Sequence, residues 1–431
     1  MAYKINLANI KDWAKNYDGP LFDGILCDPP YELGFMGKSW DSSGIAFDVE
    51  MWQNIYKLLK PGAHLLAFSG SRTYHRMAVA IEDAGFEIRD MIEWVYGSGF
   101  PKSLNIGKAV DKIQGNERED LGWQSTHINR PKTENWDKSA QAMNHGKFKV
   151  EGKQGGGLQH ITKGTSEWEG YGTALKPAHE PCVLARKPIE GNVAQNCLKH
   201  GVGGLNIDGS RVGVGADKTK APTKRNNSAS WFTTSDKTNL GGNDYVGRFP
   251  ANLIHDGSDE VLEVFPDSKS TGGTGKITLD SNTNLGGGNN YFNFGDSGSA
   301  SRFFYCAKSS KSERNAGLDG FEIKEALFNN TGLKNNGDGT ERPQGKFQNH
   351  HPTVKPLALT KYLANLIKPP KGGRLLVPFS GSGSEMIGAL QAGWEYVEGV
   401  ELTEEYIPIA EARIKYWLEQ MDKEQPSLFN V

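Results

Sequence analysis

Asp28-Pro29-Pro30-Tyr31 follows directly on a short apolar run, Phe22–Cys27. The two prolines stop any ladder, so a carbonyl at that point turns outward from the end of a strand rather than pairing within a sheet. Asp28 adds a second acceptor beside it, and Tyr31 adds a flat face. Two acceptors and a stacking ring suit a planar group carrying an exocyclic NH₂, such as adenine or cytosine. The same tetrapeptide would also serve as a plain strand-ending turn with a packed tyrosine. A second cluster, Pro378-Phe379-Ser380-Gly381-Ser382-Gly383-Ser384, lies between a predicted strand and a predicted helix. Glycines there let the backbone approach a ligand and open a helix N-terminus to an anionic group. Glu401 closes the next predicted strand about 20 residues on, the usual placement for an acid that holds ribose hydroxyls. The turn lacks the third glycine of a dinucleotide fingerprint, which disfavours a nicotinamide cofactor. His351-Pro352-Thr353-Val354-Lys355-Pro356 opens a helix upstream, where Thr353 and Lys355 either reach an anionic ligand or simply cap.

The elements that must position these residues are legible at both ends of the chain. Over 1–96, strand and helix patterns alternate: Phe22–Cys27, a helix capped by Asp48 and ended by Lys60-Pro61-Gly62, a strand His64–Phe68, a helix capped by Ser71, and a strand Ile88–Tyr96. That is βαβαβ order, the mark of a mostly parallel sheet covered by helices. Over 351–431 the order is a helix Lys355–Ile367, a strand Arg374–Val377, a helix Glu385–Ala392, a strand Glu395–Val400 and a helix capped by Thr403. Between them, 97–350 is rich in Gly, Asn, Gln and Lys, with two strand-like islands at Glu180–Arg186 and Ser301–Ala307. The expected division is 1–96 and 351–431 as two halves of one catalytic domain, 97–175 as a recognition insertion, 176–191 as a return strand and 192–350 as a second loop-rich insertion.

Composition narrows the classes further. The chain has 431 residues with 53 glycines, 49 Lys+Arg against 51 Asp+Glu, and four cysteines. The balance excludes a wholly basic nucleic-acid coat but not a local basic face. From 95 to 187 there are 14 basic and 10 acidic residues, net +4, against net −4 over the first 94 residues. No apolar run approaches the ~20 residues of a membrane span, and the N-terminus has no signal-peptide core. Sparse cysteines fit a reducing cytosol, so a cytoplasmic location is expected.

Taken in order, DPPY, HPTVKP, FSGSG and GVELTEEY resemble the amino-methylating DNA methyltransferases, and their order resembles the β class of that family. The stretches YGSGFPKSLNIGKAVDK, KPAHEPCVLARKP, GRFPANLIHDGS and SRFFYCAKSSKSERN are similar to those of phage and bacterial members. The resemblance implies an α/β fold of the S-adenosylmethionine-dependent type, with a mostly parallel twisted sheet, helices on both faces and a large loop-rich insertion. It implies S-adenosylmethionine as cofactor and duplex DNA as partner, with the target base flipped from the helix and a link to restriction-modification. A homodimer is allowed; no membrane and no metal are expected. Asp28, Pro29, Pro30 and Tyr31 would be catalytic. Asp28, Thr353, Lys355, Phe379, Ser380, Gly381, Gly383, Ser384 and Glu401 would line the cofactor. Adenine is preferred because an aspartate heads the tetrapeptide, where cytosine-amine members more often carry serine.

Two departures and several competing signals qualify that resemblance. Family members usually carry an aspartate just before Pro-Phe, where this chain has Val377; Asp28 is the expected substitute for holding the cofactor's ammonium. Asn6-Leu7-Ala8 stands where members often carry a Gly-Asp-Cys-like turn. An inactive, methyltransferase-like DNA-binding module is the rival that Val377 favours, and cytosine-N4 methylation is the rival within the enzyme class. His179, Cys182, Cys197 and His200 have zinc-like spacing, but Cys182 sits in an apolar run where cysteine is ordinary core. Pro181-Cys182 lacks the partner acid motif that covalent attack on a cytosine ring needs. Basic residues interleaved with aromatics, among them Lys102, Arg130, Lys132, Lys147 and Lys149, are the expected DNA contacts.

Overall fold

Every residue of Phe22–Cys27 is buried, as expected of a strand covered on both faces. The computed structural model that places it describes residues 2–33, 39–99, 103–125, 158–213, 247–270, 273–276, 290–293, 296–307, 312–322, 324–325 and 346–424. The strands of the main sheet are β1 (Ala2–Leu7), β2 (Phe22–Cys27), β3 (Leu59–Phe68), β4 (Glu87–Val95), β5 (His179–Arg186), β6 (Leu253–His255), β7 (Tyr305–Cys306), β8 (Arg374–Val377) and β9 (Tyr396–Glu401). They run in the spatial order β1-β9-β8-β2-β3-β5-β4-β6-β7. All neighbours are parallel except at β5, which runs against both β3 and β4. The sheet is therefore mostly parallel, and its middle comes from opposite ends of the chain: Leu375 and Leu376 of β8 pair with Gly24 and Ile25 of β2.

Helices cover both faces of this sheet. On one face lie α1 (Ile10–Asn16), α2 (Val49–Lys57) and α3 (Tyr74–Asp83), with Met51, Trp52 and Ile81 packed onto Ile25, Leu65 and Ala67. On the other lie α4 (Leu357–Leu366) and α5 (Ser384–Gln391), with Leu359, Leu363 and Met386 packed onto Leu26, Leu66 and Phe68. The last helix, α6 (Ile407–Glu424), sends Ile414 into the same core. Asp48 caps α2, accepting from the Met51 amide at 3.2 Å, a bond that satisfies one of the donors a helix start leaves open.

Some boundaries differ from the sequence reading. Lys60-Pro61-Gly62 lies inside β3 rather than ahead of it, because the pairing jumps from Phe22–Leu59 to Gly24–His64 and the bulge takes up the proline. Ser71 does not cap α3. Thr73 holds that position without a side-chain cap, its hydroxyl being used instead on the carbonyls of Tyr31 and Gly70. Thr403 likewise makes no cap bond; a 3₁₀ turn, Glu404–Tyr406, precedes α6. The island at 301–307 is a strand only at Tyr305–Cys306, after a 3₁₀ turn.

The chain divides into two compact units, residues 1–98 with 178–431, and residues 99–177. In the second unit, Asn105 caps a helix, Ile106–Gln114, and Gly115 ends it in the left-handed conformation. An antiparallel pair joins Glu119–Ser125 to Leu158–Lys163. Arg118 ties helix to hairpin: it pairs with the fully buried Asp111, donates to Glu169 at 2.8 and 2.9 Å, and reaches the Thr162 carbonyl at 3.0 Å.

Candidate active site

In a parallel sheet, ligands gather outside the carboxyl ends of the strands. Three of the quoted motifs arrive at that edge: Asp28 follows β2, Pro378 follows β8, and Glu401 ends β9. Because β2 and β8 are hydrogen-bonded neighbours, Tyr31 and Phe379 lie beyond the ends of adjoining strands. The reversed strand β5 contributes its beginning to the same edge, with Cys182 opposite Phe68 and His179 opposite Val95.

Lys355 joins these pieces. Its side chain is 5% exposed, and its ammonium donates to Asp28 Oδ2 at 2.6 Å and to the Tyr31 hydroxyl at 3.0 Å. It lies 3.1 Å from Glu180 Oε2 and sits over the rings of Phe68 and Tyr31, at 4.8 and 5.3 Å. Burial alone would lower the lysine pKa, but the neighbouring Asp28 and Glu180 carboxylates outweigh it, so the net shift is upward and the group stays charged. The Tyr31 hydroxyl in turn donates to Glu180 at 2.8 Å, and its carbonyl accepts from the Thr73 hydroxyl at 2.8 Å. Burial, followed by the two carboxylate charges, raises the Tyr31 pKa well above its ordinary value, keeping the phenol neutral. Asp28 Oδ1 is buried with no hydrogen-bond partner among the described residues. An orphaned carboxylate oxygen is unfavourable in a folded protein unless something else is to bind it.

The glycine turn is built for close approach. Gly381 has φ +47, and a Cβ there would lie 2.7 Å from the His351 ring. Its amide donates to Glu401 Oε2 at 2.7 Å, while Thr403 N–H takes Oε1 at 2.8 Å. Burial raises the Glu401 pKa, and these backbone donors oppose the rise. Arg413, fully buried, supports the turn from within the fold: it donates to the Ser382 carbonyl, to Ser382 Oγ at 2.9 Å and to Ser384 Oγ at 3.2 Å. Ser380 Oγ is buried without a partner among the described residues. His351 is held between this turn and Tyr406, whose ring lies 4.6 Å away. Burial lowers its pKa to about 4, so the imidazole is neutral.

Asp28, Tyr31 and Lys355 thus meet in one cluster, and Ser380, Gly381 and Glu401 in the turn beside it. Thr353 is exposed and makes no side-chain bond to either group, although its carbonyl meets His351 Nδ1. Lys355 sits on Asp28 and Tyr31, whereas the sequence places it at a cofactor's amino-acid end. Val377 is fully buried at the end of β8. Lys102, Arg130, Lys132, Lys147 and Lys149 lie outside the described residues. His179 and His200 pair with Glu93 and Glu190, Cys182 is core, and no group of three His, Cys, Asp or Glu able to hold a metal occurs among the described residues.

Two acids at this edge went unassigned in the sequence. Glu180 carries the signal of an acid next to a proline at the opening of an apolar strand. Glu385 is the lone acid in the first turn of an otherwise apolar helix; burial, then the Asp28 charge, pushes its pKa up to about 7.

Comparison with known proteins finds a family model, a relative and solved structures to which this chain is similar. A family model described as DNA methylase matches residues 22–412. The type II methyltransferase M.HindIII of Haemophilus influenzae is 24% identical over 162 residues, which is 37% of this chain and only 38% of that protein. Among solved structures, the M1.HpyAVI–SAM complex aligns with 96% of this chain and 98% of its own, at 14% identity and TM-score 0.38. The cytosine-N4-specific PvuII DNA methyltransferase aligns with 98% and 92%, at 9% identity and TM-score 0.40.

Proposed function

The chain belongs to the N6/N4 DNA methylase family, whose model spans most of its length, and from that premise we propose that it methylates the exocyclic amine of adenine in duplex DNA. S-adenosylmethionine is the methyl donor in this reading, supplying a methyl group on a sulfonium that a nitrogen lone pair can displace. The observation that carries the reading is the buried Asp28 Oδ1, without a partner among the described residues, beside Tyr31 at the end of β2.

In this reading Asp28 Oδ1 and the Pro29 carbonyl accept the two N–H bonds of the target amine. That leaves the nitrogen lone pair as the outward-facing group. Pro30 fixes the backbone that presents them, and Tyr31 stacks on the base after it is flipped out of the duplex. No covalent bond to the enzyme is needed: the N–CH₃ bond would form as the S–CH₃ bond breaks, the thioether would leave as S-adenosylhomocysteine and the surplus amine proton would pass to Asp28 Oδ1 or on to water, so rate enhancement comes from positioning and electrostatics.

The donor set at the turn fits the cofactor. Phe379, Ser380, Gly381, Gly383 and Ser384 form the turn assigned to the cofactor; Gly381 leaves no room for a side chain because His351 stands 2.7 Å from where its Cβ would lie, and Ser380 Oγ is a buried group without a partner among the described residues. Glu401, held by the Gly381 and Thr403 amides at the end of β9, is the acid this reading assigns to the ribose hydroxyls. Asp28 has one oxygen left and serves the amine, which argues for assigning the cofactor's ammonium to Glu385, the other buried acid near Asp28. This takes the place of the aspartate missing at Val377. The unit formed by 99–177, together with Lys102, Arg130, Lys132, Lys147 and Lys149, would grip and read DNA. A homodimer remains compatible with this scheme.

The test is to incubate the protein with S-adenosylmethionine and mixed-sequence plasmid DNA, digest to nucleosides, and identify the product by mass spectrometry. N6-methyladenine is expected. N4-methylcytosine would transfer the same chemistry to the other base, and no methylated base would overturn the reading in favour of a module that only binds DNA. Sequencing that detects base modifications then gives the recognition site.

A further inference from the structure

The reversed strand β5 delivers a further carboxylate, that of Glu180, to the cluster. Glu180 Oε2 accepts from the Tyr31 hydroxyl at 2.8 Å and lies 3.1 Å from the Lys355 ammonium. Burial, and after it the Glu180 charge, raises the Tyr96 pKa, and Glu180 stands opposite Trp94 in the β4–β5 pairing. Lys355 links the two acids, and its three N–H bonds have three acceptors in reach: Asp28 Oδ2, the Tyr31 hydroxyl and Glu180 Oε2.

This arrangement determines two things about the neighbouring groups. Tyr31 is pinned at both ends, its carbonyl by Thr73 and its hydroxyl by Glu180, so its ring cannot swing. Lys355 is pulled towards Asp28 from one side and towards Glu180 from the other. It therefore occupies Asp28 Oδ2 alone and leaves Oδ1 without a partner among the described residues. Without Glu180, the ammonium has one carboxylate in reach, and both Asp28 oxygens become open to it.

We propose that Glu180 is a positioning residue of the methyl-transfer site, holding the Tyr31 ring and the Lys355 ammonium so that Asp28 presents a single free oxygen to the target amine. The proposal rests on the reading of the site as an amine methyltransferase. Glu180 touches neither the base nor the methyl donor. Its contribution appears in the rate of transfer rather than in the binding of either.

The test measures methyl transfer from radiolabelled S-adenosylmethionine to DNA under steady-state conditions, with cofactor affinity measured by calorimetry. Glu180→Gln keeps an acceptor for the Tyr31 hydroxyl but loses the charge beside Lys355. Its kcat is expected to fall about 10-fold or more, on the order of what one preorganised polar group contributes, with cofactor Kd and the KM for DNA within about twofold of the wild type. Glu180→Asp keeps the charge but falls a methylene short of the tyrosine, and kcat is again expected to fall. If Glu180 acts through Tyr31, adding Glu180→Asp to Tyr31→Phe lowers kcat by clearly less than Glu180→Asp does alone, the non-additivity expected of groups that share a partner. Folded Glu180→Gln or Glu180→Asp enzyme with wild-type kcat overturns the proposal. So does a loss explained entirely by a smaller folded fraction, or full additivity with Tyr31→Phe. A wild-type protein that transfers no methyl group to DNA would instead overturn the reading underneath it.

Discussion

Asp28 and Glu385 are buried acids at one edge of the sheet, and their surroundings give them different work. Asp28 has a lysine on one oxygen and an open second oxygen. Asp28→Ala is expected to lower methyl transfer by about 10²–10³-fold while calorimetry still finds cofactor binding; unchanged transfer would remove Asp28 from the reaction. Glu385 is pushed up to about 7 by burial and then by the Asp28 charge. In the unfolded chain a glutamate titrates near 4.3, so between that value and 7 the folded state keeps a proton the unfolded state has released. Stability therefore falls as pH rises through this window, and the full penalty is present above it. Glu385→Gln is expected to leave the unfolding temperature unchanged near pH 4 and to raise it at pH 8, where the relieved penalty is at most about 4 kcal/mol. Equal shifts at both pH values would show that the carboxyl does not titrate there.

At the scale of elements, the glycine turn separates backbone strain from steric conflict. Gly381→Ala places a side chain at φ +47 and 2.7 Å from the His351 ring, whereas Gly44→Ala, at φ +77, meets nothing within 4 Å. Both substitutions are expected to cost about 1–2 kcal/mol for the left-handed backbone. Only Gly381→Ala should also weaken cofactor binding, by about 10-fold or more in calorimetry; equal affinity in both variants would mean that the turn does not face the ligand. The same contrast explains what the sequence disclosed. The strand Phe22–Cys27 and the tetrapeptide after it were legible because prolines end a ladder whatever surrounds them. Asp48 was legible as a cap because its partner, the Met51 amide, lies three residues away. Ser71 was misread because Thr73, the residue at the cap position, spends its hydroxyl on Tyr31, a contact that depends on tertiary structure. Glu180 went unseen because its place follows from the direction of β5: a strand running against its neighbours starts where they finish, and a single sequence does not record direction.

For the whole molecule, the second unit is spliced into a hairpin. Val95 pairs with His179, and Tyr96 N–H bonds to the Ala178 carbonyl at 2.9 Å, so residues 99–177 leave and return at one point. Replacing them with a two-glycine link between Ser98 and Ala178 is expected to leave a cooperatively folded protein that binds cofactor and no longer methylates DNA. Failure to fold would show that the two units depend on each other, and retained site-specific methylation would remove DNA reading from the second unit. The first unit has the opposite character. Lys355 lies 327 residues from its partner Asp28, and β8 and β9 must insert between β1 and β2 before the sheet is continuous. As the chain is made, β2 has β3 on one side while its other neighbour, β8, comes about 350 residues later, and such unpaired edges invite aggregation. Products cut short before Glu401 would lack the last sheet strand and the acid of the glycine turn. A fragment that ends before Lys355 keeps Asp28 and Tyr31 but lacks the ammonium that engages both, so the cluster exists only once the two arms of the sheet have met.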